Sequence, residues 1–196
     1  GTYGAITAQV YDGDVLLADK TWTDQTVSRR IPKRGSMDVD YVAVVNGAVY
    51  KTLQEALDVA DSQTITIVKD IALDAPLVLS QGSSVTLDLG GNTLSGVATS
   101  ASASNLIAVK SGAQLTLSNG SVTFAATTPD TQWGGEGQPP YPGYANNTIS
   151  NSGTLILENV VLENRTSKGG ASYVIDNYSG AKLTVGEGSV ITQSGG

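Results

Sequence analysis

The 196-residue chain contains no cysteine and no histidine, and only one methionine and one phenylalanine. Without cysteine, no disulfide framework holds the fold and no thiolate is available for chemistry. Without histidine there is no imidazole base and no ordinary zinc site, which removes the Ser/His/Asp and Cys/His hydrolase arrangements. Cations are also scarce: 11 Lys and Arg stand against 18 Asp and Glu, for a net charge of −7. An acidic chain repels phosphate backbones, so nucleic acid is a poor partner. No apolar run approaches the roughly 20 residues of a membrane span, so no membrane insertion is expected in this segment. Glycine is abundant at 23 residues, alongside many Ser, Thr and Asn. That composition fits a secreted, all-β protein.

The first 40 residues have their own character. In "AITAQVYDGDVLLADKTW", Asp12-Gly13 separates two β-prone runs, the signal for a tight hairpin. Trp22 in this segment is expected to be core. "SRRIPKR" follows, with Arg29, Arg30, Lys33 and Arg34 as the chain's one basic cluster, read as a solvated linker or strand edge. Residues 1–40 are therefore taken as an N-terminal β-strand segment or linker, and 41–196 as the main body. Within 41–63, Asn46-Gly47 marks a second hairpin. Leu53, Ala56, Leu57 and Ala60 then recur at helical spacing, with Thr52 as N-cap and Glu55 three residues on. A short helix over about 52–61 is expected.

From residue 64 onward the period is two. "TITIV" (64–68) and "PLVLS" (76–80) read as strands, and then a unit recurs: "LDLGGNTL" from Leu87, "LTLSNGSV" from Leu115, "LILENVVL" from Leu155, "LTVGEGSV" from Leu183. The first leucines lie 28, 40 and 28 residues apart. A short strand precedes each unit, at Leu79, Ile107, Ile149 and Ile175, and a third follows near Leu94, Val122, Leu162 and Val190. Three short strands and three turns in about 28 residues make one coil of a parallel β-helix, whose coils bury their inward side chains only by stacking. Strand alternation puts the outer residues of "LTL" and "LIL" inside. Leu87, Leu115, Leu155 and Leu183 are expected to align as one interior column. Asp88, Thr116, Ile156 and Thr184 would form an exterior row, too broken to serve as the regular threonine array that orders ice. The 12 extra residues between Leu115 and Leu155 fall in the Gly- and Pro-rich "TTPDTQWGGEGQPPYPGYANN" (127–147), read as a loop. The ending "ITQSGG" carries no capping helix, so an open last coil is expected, as in a piece of a longer surface protein or a protein whose end meets a partner.

The stretch 42–96, with "YKTLQEAL", "TITIVKDI" and "VTLDLGGNTL", resembles a module of bacterial secreted and cell-surface proteins that opens a right-handed parallel β-helix of the pectate-lyase-like superfamily. The resemblance extends over about 42–196. It implies that the helix near Leu53 caps the N-terminal end of the solenoid, and that members range from polysaccharide lyases and hydrolases to passive adhesin stalks.

Lyases of that architecture use Lys or Arg as a base beside carboxylate-held calcium, and hydrolases use clustered Asp. After residue 70 the basic residues are Lys110, Arg165, Lys168 and Lys182, of which only Arg165 and Lys168 lie near carboxylates, Glu158 and Glu163. A solvated, salt-linked turn accounts for them. Asp88 in "LDLGGN" is read as structural, bonding a neighbouring turn, and Asp176-Asn177 as a corner arrangement. Glu158 and Asp176 could be neighbours on adjacent coils, as a glycosidase pair requires. Asp130 and Glu136 share the long loop but lack the D-x-D-x-D-G spacing of a calcium loop. No catalytic residue, metal ligand or cofactor is assigned. The binding candidates are Trp133, Tyr141, Tyr144 and Gln138 of the long loop, where aromatic faces and amides could hold a sugar ring or a protein surface. The expectation is a non-catalytic extracellular spacer or adhesin module binding a glycan or a cell-surface protein. The alternative is a carbohydrate-active enzyme, lyase or hydrolase.

Overall fold

A computed structural model describes residues 2–12, 15–26, 41–98, 104–126, 146–166 and 172–194. The described chain is mostly β, with 16 strands and one short helix, and its sheets are mixed. β1 (Thr2–Asp12) and β2 (Val15–Thr26) form a separate antiparallel pair in which Asp12 faces Val15. Asp12, expected as the first residue of the turn, is thus the last residue of the strand. Trp22 is half-buried on this hairpin and lies outside the core, with the Lys20 ammonium 5.6 Å from its ring centroid. The basic run 29–34 lies outside the described residues.

β3 (Ala43–Val45) and β4 (Ala48–Tyr50) form the expected hairpin, with Asn46 and Gly47 both at positive φ. Asparagine and glycine occupy that region at little steric cost. Helix α1 (Leu53–Val59) follows. The Thr52 side chain accepts from the Glu55 amide and the Glu55 carboxylate accepts from the Thr52 amide, so the capping box is complete. Leu53 and Ala56 are buried, and Ala60, the C-cap, closes the turn onto the core.

Beyond the helix the chain lays down five tiers. The first holds β5 (Gln63–Ile67) and β6 (Ile71–Leu73), the second β7 (Leu77–Leu79), β8 (Ser84–Asp88) and β9 (Thr93–Ala98). The third holds β10 (Ser104–Val109) and β11 (Gln114–Ala126), the fourth β12 (Asn146–Asn151) and β13 (Thr154–Asn164). The fifth holds β14 (Ile175–Asn177), β15 (Lys182–Val185) and β16 (Val190–Gln193). β7, β10, β12 and β14 pair in parallel as a four-stranded sheet. The ten-stranded sheet runs in parallel from β5 through β8, β11 and β13 to β15, while β3 joins β5 antiparallel. β6, β9, the second half of β11, that of β13, and β16 pair as a third parallel ladder within it.

The registers define the core and correct the expected alignment. One column runs Ile65, Leu87, Leu117, Leu157, Val185; a second runs Val85, Leu115, Leu155, Leu183. Leu87 therefore pairs with Leu117, not Leu115. The cause is a corner: Leu87 and Leu94 are seven residues apart, whereas their partners Leu117 and Val122 are five apart. The second tier carries two extra residues in its Leu89–Thr93 turn, so matching "LDL" to "LTL" slips the alignment by two. The same slip moves the partner of Ile107 from Leu79 to Leu77. In the last tier Leu162 pairs with Ile191 rather than Val190. The exterior row through Thr116 is correspondingly Thr64, Thr86, Thr116, Ile156, Thr184, interrupted once rather than twice, and Asp88 instead lies beside Thr66 and Ser118.

Ile65, Leu87, Leu115, Leu117, Leu155 and Leu157 are all fully buried. Removing each from water stabilises the fold by roughly 1.5–3 kcal/mol before conformational entropy is deducted. The tiers approach closely where they turn. A Cβ at Gly120 would stand 2.5 Å from the Asn92 carbonyl oxygen and from the Leu89 Cβ, so only glycine fits.

Candidate functional site

The proposed ligand residues Trp133, Gln138, Tyr141 and Tyr144 lie outside the described residues, as do Asp130, Glu136 and Lys168. The strand that follows that segment in sequence is described. β12, which follows it, is buried at every position although its sequence is "NNTISN". Asn147 donates to Asp176 (3.2 Å) and accepts from the Tyr173 amide (3.0 Å). Ser150 donates to Asn105 (2.8 Å), and Thr148 to the Glu163 carbonyl. Asn164, fully buried on β13, donates to the carbonyls of Asn146 and Tyr173 and accepts from the Thr166 amide. Buried amides are tolerated because these bonds replace their water partners.

Two further side-chain ladders cross the tiers. At one corner Asp88 accepts from Gly90 N (3.0 Å) and from Asn119 (3.1 Å), and Asn119 accepts from Asn159 (3.2 Å). Asn119 and Asn159 sit at φ 56° and 52°, a conformation asparagine adopts more readily than most residues. Asp88 thus bonds a neighbouring turn, as read from its motif. At the second corner Asn151, fully buried, donates to Asn177 (2.7 Å) and to the Lys182 carbonyl (2.9 Å), and accepts from Gly153 N (3.1 Å). Asn177 is thereby the corner asparagine expected beside Asp176.

The charged groups considered for catalysis are placed apart. Glu158 faces Ser118 in the ten-stranded sheet, whereas Asp176 faces Ser150 in the four-stranded one. Register therefore does not pair them across adjacent tiers. Arg165 bonds Glu163 at 2.6 Å, and Ser194 also donates to that carboxylate. The Arg165 hydrogen bond, then that of Ser194, holds Glu163 below the usual carboxylate range, while the same contact raises Arg165. The Glu163–Arg165 pair is the part of the expected salt-linked segment that falls on described residues; Lys168 lies outside them. Among the described residues no group of three or more His, Cys, Asp or Glu is placed to hold a metal ion. No described helix is long and apolar enough to cross a membrane.

What sequence reasoning missed is polar and structural. Asn119, Asn151, Asn159 and Asn164 build the cross-tier bonds, and the available signal was an asparagine at the same place in successive repeats, "SNG" beside "ENV". Also at the surface is an apolar end. Leu183, Val185 and Ile191, in register with the fully buried Leu155, Leu157 and Leu162, are exposed by 39%, 49% and 42%. Comparison with protein-family models, curated proteins and solved structures finds no match to the chain.

Proposed function

We propose that the chain is a non-catalytic extracellular spacer: coils of a right-handed parallel β-helix that hold the loop 127–147 away from the surface bearing them. The observation that carries this reading is the in-register column Ile65–Leu87–Leu117–Leu157–Val185, which joins five tiers through one apolar interior. Asparagine bonds support it, because side chains tie the third tier to the fourth and the fourth to the fifth and resist sliding. In this role Trp133, Tyr141, Tyr144 and Gln138 present stacking faces and an amide to a glycan or a cell-surface protein. A carbohydrate-active enzyme draws less support, since Arg165 is tied to Glu163 and the acids are dispersed across sheets.

The test is a glycan array followed by Trp133→Ala. The expected result is binding to at least one glycan class, lost in the variant at an unchanged melting temperature. A melting temperature lowered by several degrees would make Trp133 a packing residue and remove the binding role. Release of unsaturated products or new reducing ends from pectin, alginate or hyaluronan would establish the enzyme instead.

A further inference from the structure

The chain holds two Asn-Gly dipeptides, Asn46-Gly47 between β3 and β4 and Asn119-Gly120 at the corner within β11. They match in several respects. Both asparagines are exposed, both have positive φ (48° and 56°), and neither glycine shields its own amide with a side chain. They differ in what holds them. The Asn119 side chain donates to Asp88 (3.1 Å) and accepts from Asn159 (3.2 Å). Its main-chain carbonyl accepts from Gly91 N (2.6 Å), and a Cβ at Gly120 would stand 2.5 Å from Leu89. Among the described residues no hydrogen bond engages the Asn46 side chain, the Asn46 carbonyl or the Gly47 amide.

We propose that Asn46 is a site of spontaneous deamidation whose product loosens the cover over the Ile65 end of the stack. The deprotonated Gly47 amide nitrogen attacks Asn46 Cγ. That C–N bond forms, the Cγ–Nδ2 bond breaks, and the side-chain nitrogen leaves as ammonia after taking a proton from water. Water then opens the five-membered imide. Opening at Cγ leaves an ordinary aspartate; opening at the main-chain carbonyl leaves an isoaspartate, in which the chain runs through Cβ. The attack requires the Asn–Gly peptide unit to rotate toward the asparagine side chain. At Asn119 that rotation breaks the bond from Gly91 and moves Gly120 against Leu89 and the Asn92 carbonyl, whereas at Asn46 no bond opposes it. The consequence follows from the turn. A two-residue hairpin turn has no room for an added main-chain atom, so isoaspartate at position 46 parts Val45 from Ala48. Ala43 and Val45 are buried, and Val45 faces Ile65 across β3 and β5, so the damage falls on the cover. The inference does not depend on what the 127–147 loop binds.

The test holds the whole chain in mildly alkaline buffer and maps its peptides by mass spectrometry at intervals, with enzymatic methylation to count isoaspartate. Unfolded in guanidinium chloride, the two dipeptides are expected to convert at similar rates, which sets their intrinsic chemistry. In the folded chain Asn46 is expected to convert about tenfold or more faster than Asn119, because the bonds at Asn119 must first open. Asp88→Ala, which removes the acceptor of the Asn119 amide, is expected to speed conversion at Asn119 severalfold and leave that at Asn46 unchanged. The isoaspartate form, separated by ion exchange, is expected to exchange its amide hydrogens severalfold faster in β3 and β4, with β11 and β13 unchanged. Asn46→Asp, which carries the new charge on an unaltered main chain, is expected to exchange like the parent. A ratio in the folded chain no larger than that in guanidinium chloride overturns the proposal, as does Asn46 left intact over the time in which it converts unfolded. An isoaspartate form that exchanges like the parent overturns the effect on the cover.

Discussion

At the Ile65 end of the stack the innermost column finishes beneath a lid; at the Val185 end it finishes in solvent. Ile65 is fully buried although it belongs to the first tier, because Leu53, Ala56 and Ala60 of the cap and the antiparallel β3–β4 hairpin close over that end. Val185, in the same column, is 49% exposed. Both are aliphatic residues of one register column, and among the described residues the cover that packs over Ile65 has no counterpart over Val185. A stacked β-structure is stabilised by neighbours, and its end tiers need a cover that the repeat itself does not supply. A seven-residue helix holds here with two of its N-terminal amides, those of Glu55 and Thr52, satisfied locally by the Thr52 and Glu55 side chains.

The comparison sharpens most in the core. Leu53→Ala removes a buried cap side chain and is expected to destabilise by about 2–4 kcal/mol, whereas Leu183→Ala, 39% exposed, is expected to cost under about 1 kcal/mol. Urea unfolding of both variants checks this, and equal losses would abolish the distinction between the ends. Next is the corner ladder. Asn151→Ala, which strips bonds from a buried amide group, is expected to cost about 1–3 kcal/mol. Asn177→Ala, one tier nearer the open end and exposed, is expected to cost well under half as much in the same assay.

Smaller still is the capping box. Thr52→Ala is expected to cost about 1 kcal/mol and to raise exchange in α1 and β5 while leaving β15 unchanged. The smallest effect concerns pH. Glu163 is held below the ordinary carboxylate value by Arg165 and Ser194, so its contribution is present above its unfolded-state value and is lost as pH falls through its lower folded value. At this surface site the change in melting temperature is expected to be slight. The direct check is an NMR titration, in which Arg165→Gln moves the Glu163 midpoint upward; an unmoved midpoint would show that the ion pair does not form in solution.

Much of this architecture was legible where local chemistry decides it. Thr52 and Glu55 announce the helix start, Asn46-Gly47 the hairpin, and the alternation of Leu115 and Leu117 the buried face. Register was not legible, because it depends on corner length. "LDL" and "LTL" look alike, yet the turn through Gly90 and Gly91 is two residues longer than the one through Asn119 and Gly120, which shifts the partners of β7 and β8 by two while Leu94 still meets Val122. Buried asparagines were hidden for a different reason. Asn151 and Asn164 occupy inward positions that an apolar pattern cannot flag, and only their bonds to Asn177 and to the carbonyls of Asn146, Tyr173 and Lys182 explain them. The candidate site was legible only as composition: Trp133, Tyr141 and Tyr144 stand in a Gly- and Pro-rich stretch with no periodicity to place them.

Hydrogen exchange of the whole chain, resolved by strand, tests the central claim most directly. A stack in parallel register, covered at one end and open at the other, predicts slow exchange in β8, β11 and β13, comparable protection in β5 beneath its cap, and exchange orders of magnitude faster in β15 and β16. Protection of β15 equal to that of β11, or β5 exchanging as fast as β15, would contradict it.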